Sequence, residues 1–300
     1  MIRIAWAPGY AHVLPEGHRF PMAKYELLPE QLLHQGIAAE ADFFVPAPLA
    51  EGPLLAVHTA DYWERLRTGS LTAAEVRKTG FPWSAALVER EIIIAEGTRR
   101  CCEYALTFGA AANIAGGTHH AYAGHGEGFC LLNDQAIAAR WLLDSGRARQ
   151  VLVVDLDVHQ GNGTAAIFAR EPRVFTFSMH GATNYPARKE HSDLDVPLPD
   201  GTTDAAYLAI LNDTLPRLLE AVRPDFVFYL AGVDVLATDK LGKLGLSPAG
   251  CLARDRLTLG VCHAARLPVV TCMGGGYSPR LADIVDAHAN TFRAMHELWG

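Results

Sequence analysis

The sequence predicts a single α/β domain spanning residues 1–300, with a parallel sheet and helices on both of its faces. Short runs of β-branched and aromatic residues alternate along the chain with helical stretches, and this order is typical of parallel strands joined by crossover helices. Half of the residues are apolar, enough to bury a large core in one domain. The glycine- and proline-rich stretches have only the length of loops, so we expect no interdomain linker.

The individual elements follow from their lengths and flanking residues. An N-terminal strand is expected within residues 1–6, and short apolar runs predict buried strands at 151–154, 174–177, 226–230 and 268–271. Longer helical patterns predict helices at 132–143, 205–222, 249–265 and 281–296. In open α/β sheets ligands bind at the carboxyl ends of the strands, so we expect a functional site in the loops that follow these strands.

The charge balance argues against a nucleic-acid-binding surface. Acidic residues outnumber basic ones by 33 to 26, which gives a formal net charge of -7, whereas nucleic-acid-binding domains carry clustered Lys and Arg. A basic peptide or a polyamine is compatible with this charge as a substrate, since a mildly acidic enzyme attracts either.

The cysteines and the apolar runs predict a soluble cytoplasmic protein without membrane contact. The six cysteines include no Cys-x-x-Cys pair, and two of them are adjacent in a helical stretch, which does not suit a disulfide framework. The N-terminus lacks the charged head and long apolar stretch of a signal peptide. No apolar run reaches the roughly 20 residues that span a bilayer.

Carboxylates and a histidine follow two of the predicted strands and form a candidate metal site. Asp155, Asp157 and His159 alternate after strand 151–154, so their side chains project to one side if the chain stays extended. Asp234 follows strand 226–230 and offers a further anionic ligand. Buried carboxylates are costly unless a metal binds them, and one His with two carboxylates leaves open positions for catalysis. The alternative is that these Asp residues cap helices or form turns.

Two further groups occupy loops that we expect near this site. His119 and His120 are adjacent in a loop, and beside a metal they can transfer protons because neutral imidazole titrates near working pH. Taken without the metal, an adjacent pair on a loop is more often solvated and idle. The run Gly274, Gly275 and Gly276 lets the backbone approach a ligand closely and places the side chain of Tyr277 beside it.

Together these segments resemble the histone deacetylase superfamily, which includes the acetylpolyamine amidohydrolases. Four motifs match in the family's order, and the similarity extends over nearly the whole chain: 117–121, 128–133, 155–159 and 274–277. Two further stretches resemble the class IV branch in particular: 160–163 and 231–250. The resemblance implies an arginase-like, three-layer α/β/α fold with a central parallel sheet of about eight strands.

The resemblance also implies one catalytic Zn²⁺ and a set of catalytic residues. By position, the zinc ligands are Asp157, His159 and Asp234. His120 corresponds to the general base and acid, His119 to the second, electrostatic histidine, and Asp155 to the buried partner of the latter. Tyr277 corresponds to the phenol that hydrogen-bonds the reacting carbonyl. The family also often holds a structural K⁺ through backbone carbonyls around residues 155–159 and 178–179.

Asn162 departs from the class I pattern, in which an aspartate is the partner of the general-base histidine; classes II and IV often carry Asn. A neutral partner raises the pKa of His120 less than a carboxylate does, which favours a neutral imidazole that can accept a proton from water.

For the substrate, the resemblance implies an acyl tunnel with aromatic walls. Phe129 and Tyr185 match the two walls, Leu241 lies near a third, and Gly128 and Gly275 belong to the same matched motifs. The loop around Tyr185 departs from the family's usual Phe-Pro-Gly form.

The sequence therefore predicts a zinc-dependent amidohydrolase that removes acetyl or longer acyl groups from acyl-lysine or a small acylated amine. An acetylpolyamine amidohydrolase is the alternative. Two other classes are less favoured: a ureohydrolase needs more ligands for its two-metal cluster, and a binding protein without catalysis would lack part of this residue set. The acyl length, the leaving amine, the native metal (Zn²⁺ or Fe²⁺) and the oligomeric state are left open.

Overall fold

A parallel sheet forms the centre of the protein, which a computed structural model describes over residues 2–300. Within these residues the sheet has eight strands in the order β2-β1-β3-β8-β7-β4-β5-β6, and every neighbouring pair is parallel. The predicted α/β class with about eight parallel strands is confirmed.

The elements have the following bounds. The strands are β1 (Arg3–Ala5), β2 (Phe43–Phe44), β3 (Ala110–Asn113), β4 (Val151–Asp155), β5 (Val174–Gly181), β6 (Leu194–Leu198), β7 (Phe226–Leu230) and β8 (Val269–Cys272). The α-helices are α1 (Lys24–His34), α2 (Glu51–Leu55), α3 (Ala60–Thr68), α4 (Ala73–Thr79), α5 (Ala85–Phe108), α6 (Asp134–Asp144), α7 (Asn162–Phe168), α8 (Asp204–Val222), α9 (Pro248–Ala264) and α10 (Leu281–Trp299). Short 3₁₀ turns lie at Pro8–Tyr10 and Glu40–Asp42.

The alternation of side chains along the central strands produces the three layers. Val151 and Val153 of β4 pack into a core shared with α5 and α6, whereas Leu152 and Val154 pack into the opposite core, shared with α1, α8, α9 and α10. Because successive residues of a strand point to opposite faces, a continuous apolar run buries both faces of the sheet.

Sequence patterns predicted the central strands and missed weaker ones. The predicted strands at 151–154, 174–177, 226–230 and 268–271 are all present, and so are the four predicted helices. Their ends differ from the predicted ones by a few residues, most at β5, which extends to Gly181. Strand β3 is a run of small residues, and β2 has two residues. Neither has the β-branched signature that identifies a strand in sequence.

Strand register brings the site-bearing loops to one level. Asp155 at the end of β4 lies opposite Leu230 at the end of β7, and Leu230 lies opposite Cys272 at the end of β8. Asn113 of β3 is paired with Cys272 as well. The loops after these four neighbouring strands therefore start side by side at the carboxyl edge of the sheet.

No helix within residues 2–300 is both long enough and apolar enough to cross a membrane. The six cysteines are buried and unpaired.

Candidate active site

Three side chains at the carboxyl edge of the sheet form a compact, buried triad. The ligand atoms of Asp157, His159 and Asp234 lie within 4.8 Å of one another. His159 Nδ1 is 3.0 Å from Asp157 Oδ1 and 3.1 Å from Asp234 Oδ2. The sequence-predicted ligands thus come together from the loops after β4 and β7.

The chain after β4 does not stay extended, so this part of the prediction is wrong. Strand β4 ends at Asp155, and the chain then turns. The side chain of Asp155 accepts a hydrogen bond from Asp157 N at 3.1 Å, and the side chain of Asp157 accepts one from His159 N at 2.9 Å. Asp side chains commonly bond the backbone two residues on in this way. Two such turns, rather than strand alternation, direct Asp157 and His159 into the site.

The triad fits a divalent cation. Burial and the charge of Asp157 raise the pKa of Asp234 to about 7, because two buried carboxylates at this distance repel each other unless a positive charge lies between them. A Cβ at Gly275 would lie 1.9 Å from Asp234 Oδ2, so the glycine makes room for the carboxylate. One imidazole and two carboxylates form a donor set typical of catalytic Zn²⁺. Within residues 2–300 this is the one His/Cys/Asp/Glu group with metal-ligand spacing.

A buried arginine supports the two loops that carry the triad. Arg254 of α9 donates hydrogen bonds from Nη1 to the carbonyls of Leu156 and Gly232, at 3.2 and 2.5 Å. Its Nε donates to Asp255 Oδ1 at 2.9 Å, and both side chains are fully buried. Sequence analysis did not identify Arg254, since an Arg-Asp pair in a helix gives no sign that it is buried.

The two adjacent histidines have different partners. His119 Nδ1 lies 2.7 Å from Asp155 Oδ2, and His120 Nδ1 lies 2.6 Å from Asn162 Oδ1. Burial opposes a charge on His119, but the charges of Asp155 and Asp157 outweigh it and raise the pKa of His119. Burial, together with any charge on His119 and His159, holds the pKa of His120 well below its usual value. The pair therefore divides into a cation-favouring histidine and a neutral one.

Asp134 fixes the loop that carries these histidines. Its carboxylate accepts hydrogen bonds from Gly117 N at 3.1 Å and from Thr118 N at 2.8 Å. It also accepts one from the Thr118 hydroxyl at 2.6 Å. Asn133, the preceding residue and the cap of α6, donates to the Ala121 carbonyl at 3.1 Å. The 128–133 motif and the residue after it thus hold the 116–121 loop in place.

The triad opens into a small tunnel. A cavity of about 220 Å³ is lined by a set that includes most of the predicted substrate residues: Arg19, Lys78, His120, Gly128, Phe129, His159, Tyr185, Leu241 and Tyr277. An adjoining inner cavity of about 40 Å³ contacts His119, Asp157 and Gly275. Phe129 adopts a φ of 67°, a conformation that costs energy for a bulky residue and that clusters at functional sites.

Tyr277 faces the triad from the loop after β8. Its ring lies 6.5 Å from that of His159 and 5.9 Å from that of Phe129, between centroids. Asp239 accepts a hydrogen bond from Tyr277 N at 2.6 Å and so anchors the backbone. Within residues 2–300 no side chain or carbonyl engages the Tyr277 hydroxyl, so this group is free to donate to a ligand.

The mouth of the tunnel carries an arginine that has no acidic partner among the described residues, which the overall acidic charge does not suggest. Arg19 packs over the Phe129 ring, 4.9 Å from the centroid. Lys78 lines the same cavity and pairs with the buried carboxylate of Glu127 at 2.6 Å. These three residues went unnoticed in the sequence because they come from three separate segments.

A parallel sheet between two helical layers, with a candidate metal-binding triad and two histidine dyads at its carboxyl edge, defines an arginase-like α/β/α scaffold. The model of the histone deacetylase domain matches residues 18–292. Histone deacetylase 2 of Arabidopsis thaliana is 30% identical over 89% of this chain and 72% of its own. An uncharacterized protein of Picosynechococcus sp. is 45% identical over 99% of both chains. The chain belongs to the histone deacetylase family.

Solved structures agree on the fold. A histone deacetylase homologue crystallised with SAHA superimposes with a TM-score of 0.85 over 99% of this chain and 84% of its own, at 23% identity. The HD domain of HDA15 gives a TM-score of 0.84 over 99% and 88% of the two chains, at 22% identity. The class IV placement and the structural K⁺ stay predictions.

Proposed function

We propose that this protein is a zinc-dependent deacetylase that hydrolyses the amide of acetyl-lysine or of a small acetylated amine. One observation carries the proposal: a buried donor triad, an uncharged histidine and an unengaged phenol all border one narrow tunnel. His120, His159 and Tyr277 line the same cavity of about 220 Å³.

The residues divide the work of amide hydrolysis. His120 accepts a proton from the attacking water and later gives it to the leaving nitrogen; its lowered pKa keeps the imidazole neutral before the reaction, so that it has a lone pair to accept the proton. The Tyr277 hydroxyl donates a hydrogen bond to the carbonyl oxygen as negative charge develops there. His119, held by Asp155, contributes positive charge. Asp157, His159 and Asp234 would hold Zn²⁺, which when bound would supply Lewis-acid polarisation of the carbonyl and acidification of water.

Zinc dependence is tested by chelation. We expect dipicolinate to abolish acetate release from an acetyl-lysine peptide and added Zn²⁺ to restore it, because within residues 2–300 Asp157, His159 and Asp234 are the one group with metal-ligand spacing. Metal content is measured in parallel, and Asp234→Asn serves as a control that cannot be restored. Undiminished turnover by the metal-free protein would sink the zinc proposal.

The inner end of the tunnel favours short acyl groups. The inner cavity of about 40 Å³ is bounded by the large side chains of Phe20, Tyr25, Phe129 and Tyr277. Phe20 and Tyr25 are themselves buried, so a long acyl chain enters only if packed aromatic side chains move.

The positive charge of Arg19 at the tunnel mouth disfavours the polyamine alternative. Arg19 and Lys78 are the charged residues that line the outer cavity, and of the two only Lys78 has an acidic partner, Glu127. A polyamine retains protonated amines beside its acylated nitrogen, and these would meet Arg19 across a partly desolvated opening, where like charges repel.

A substrate panel checks both preferences. We expect kcat/KM to fall in the order acetyl, octanoyl, myristoyl on one lysine peptide, and to be at least about tenfold lower for acetylspermidine than for the acetyl peptide, as about 1.4 kcal/mol of repulsion implies. Arg19→Glu is the matched variant and should improve the polyamine substrate. A preference for myristoyl or acetylspermidine by the wild-type protein would contradict this proposal.

A further inference from the structure

Glu127 is a buried carboxylate that no step of the proposed reaction uses. It is 4% exposed and ends a hydrogen-bond chain that starts at His120. His120 Nδ1 lies 2.6 Å from Asn162 Oδ1, and Asn162 Nδ2 donates to Glu127 Oε1 at 2.6 Å. The carboxylate is thus one amide away from the proposed general base.

The surroundings of Asn162 fix which way its amide points. Of the two Nδ2 hydrogens, one goes to Glu127 Oε1 and the other to the Tyr122 hydroxyl oxygen, at 2.6 and 3.1 Å. The Tyr122 hydroxyl donates its own hydrogen to Glu190 Oε1 at 3.1 Å. Ionised carboxylates only accept hydrogen bonds. A flipped amide would place its oxygen against the Glu127 carboxylate, which cannot donate, so the amide nitrogen must face Glu127.

This orientation determines where the proton of His120 resides. The Asn162 oxygen faces His120 Nδ1 and can only accept, so Nδ1 must be the donor. A neutral imidazole has one N–H, and Nε2 therefore carries the lone pair that a general base needs. The hydrogen bond that Nδ1 makes thus determines the protonation state of Nε2.

We propose that Glu127 is a positioning residue that selects the Nδ1–H tautomer of His120 through the Asn162 amide. The catalytic consequence rests on the proposed function; the tautomer itself does not. Lys78 Nζ lies 2.6 Å from Glu127 Oε2, and Tyr185 donates its hydroxyl hydrogen to Oε1 at 2.8 Å, so a cation and a phenol stabilise the ionised form. The neutral Asn162 therefore transmits the orienting effect of the Glu127 carboxylate, which does not contact His120 itself.

The substitution Glu127→Gln removes the negative charge of the side chain and nearly preserves its shape. Lys78 has only hydrogens to offer, so it draws the glutamine oxygen, and the glutamine NH₂ then faces Asn162. Asn162 must turn over to present its oxygen to that NH₂. Its nitrogen then faces His120 Nδ1, which becomes an acceptor, and the ring proton moves to Nε2.

The test is the ¹⁵N spectrum of histidine-labelled protein, in which the two tautomers have distinct ring-nitrogen shifts. The His120 signals are assigned by their loss in His120→Ala, and spectra are recorded on the zinc-loaded and on the metal-free protein. We expect Nδ1–H in the wild type and Nε2–H in Glu127→Gln. Deacetylation should lose about 10²-fold or more in kcat, the scale of general-base catalysis, with little change in KM.

Two further variants make the result specific. In Lys78→Met with Glu127→Gln, the ammonium that draws the glutamine oxygen is gone, and only the more distant Nε2 of His125, 3.5 Å from the Glu127 carboxylate, faces that side. We therefore expect the Nδ1–H tautomer and much of the lost kcat to return. Lys78→Met alone should keep the wild-type tautomer. Glu75→Gln is the control: it removes the carboxylate that pairs with Arg65 between α3 and α4, where Arg65 Nη1 lies 2.5 Å from Glu75 Oε1. It should change neither the His120 tautomer nor kcat.

The outcomes separate the inference from the proposed function. An unchanged Nδ1–H signal in Glu127→Gln would overturn the inference. A switched tautomer with undiminished kcat would overturn its catalytic part. A switched tautomer in a protein that hydrolyses no acylamine, even in the wild type, would support the inference while overturning the proposed deacetylase.

Discussion

Replacing His120 with alanine is expected to lower kcat for deacetylation by about 10²–10⁴-fold, the range that a positioned general acid–base contributes. His120 is fully surrounded by protein except where it lines the tunnel, and it is held by Asn162 at 2.6 Å. No other histidine in the site can replace it, because His159 belongs to the metal triad and Asp155 favours the charged form of His119. The measurement is steady-state acetate release with metal content matched between proteins.

A control variant tests whether the effect is specific to this histidine. His34→Ala changes an exposed residue in the last turn of α1 and should leave kcat within experimental error. A His120→Ala protein that binds zinc normally and retains wild-type kcat would rule out His120 as the proton carrier and would leave the proposed mechanism without a base.

Replacing Arg254 with methionine is expected to lower the free energy of unfolding by about 3–5 kcal/mol, the cost of leaving one partner of a buried ion pair uncompensated. The guanidinium is fully buried and bonds Asp255 together with the carbonyls of Leu156 and Gly232. Methionine has similar length but no donors, so the Asp255 charge keeps only the hydroxyls of Tyr229 and Thr291, at 2.5 and 2.7 Å. Urea denaturation of the metal-free protein measures the change.

The same helix provides the matched control. Arg256 lies two residues away and pairs with Glu297 at 2.5 Å, but its side chain is 51% exposed. Exposed ion pairs contribute about 0–1 kcal/mol, so Arg256→Met should have a small effect. If both variants lower the free energy of unfolding equally, the predicted difference between the buried and the exposed ion pair is wrong. We also expect weaker zinc binding in Arg254→Met alone, since Leu156 and Gly232 precede Asp157 and Asp234 closely in sequence.

Much of the fold and of the site could be predicted from local sequence. The apolar runs at 151–154 and 226–230 have the length of buried strands, and the polar residues directly after them mark the carboxyl edge of a parallel sheet. The motifs at 117–121, 155–159 and 274–277 each occupy one loop, so their order along the chain was enough to resemble the histone deacetylase superfamily. Asp157 and His159 followed from the second of these motifs, and Asp234 from its place after the strand at 226–230 and from the matching stretch 231–250.

Local sequence could not describe contacts between distant segments. Asp157 and His159 reach the triad through side-chain turns rather than through strand alternation. Arg254 lies 98 residues from the Leu156 carbonyl that it bonds, and Glu127 lies 49 residues from Lys78 in the numbering but 2.6 Å away in space. The tertiary structure alone places the positive charge of Arg19 at the tunnel mouth of an acidic chain.

The sequence by itself determined the fold class, the place of the site and the types of residue that form it, because each of these depends on short-range patterns of polarity and spacing. Only the tertiary structure decided which buried carboxylates have a cationic partner, which way the Asn162 amide is oriented and which charged side chains lie at the tunnel mouth. Burial and hydrogen-bond partners set the energy of a polar group, and both are properties of the packed molecule rather than of any segment of the chain.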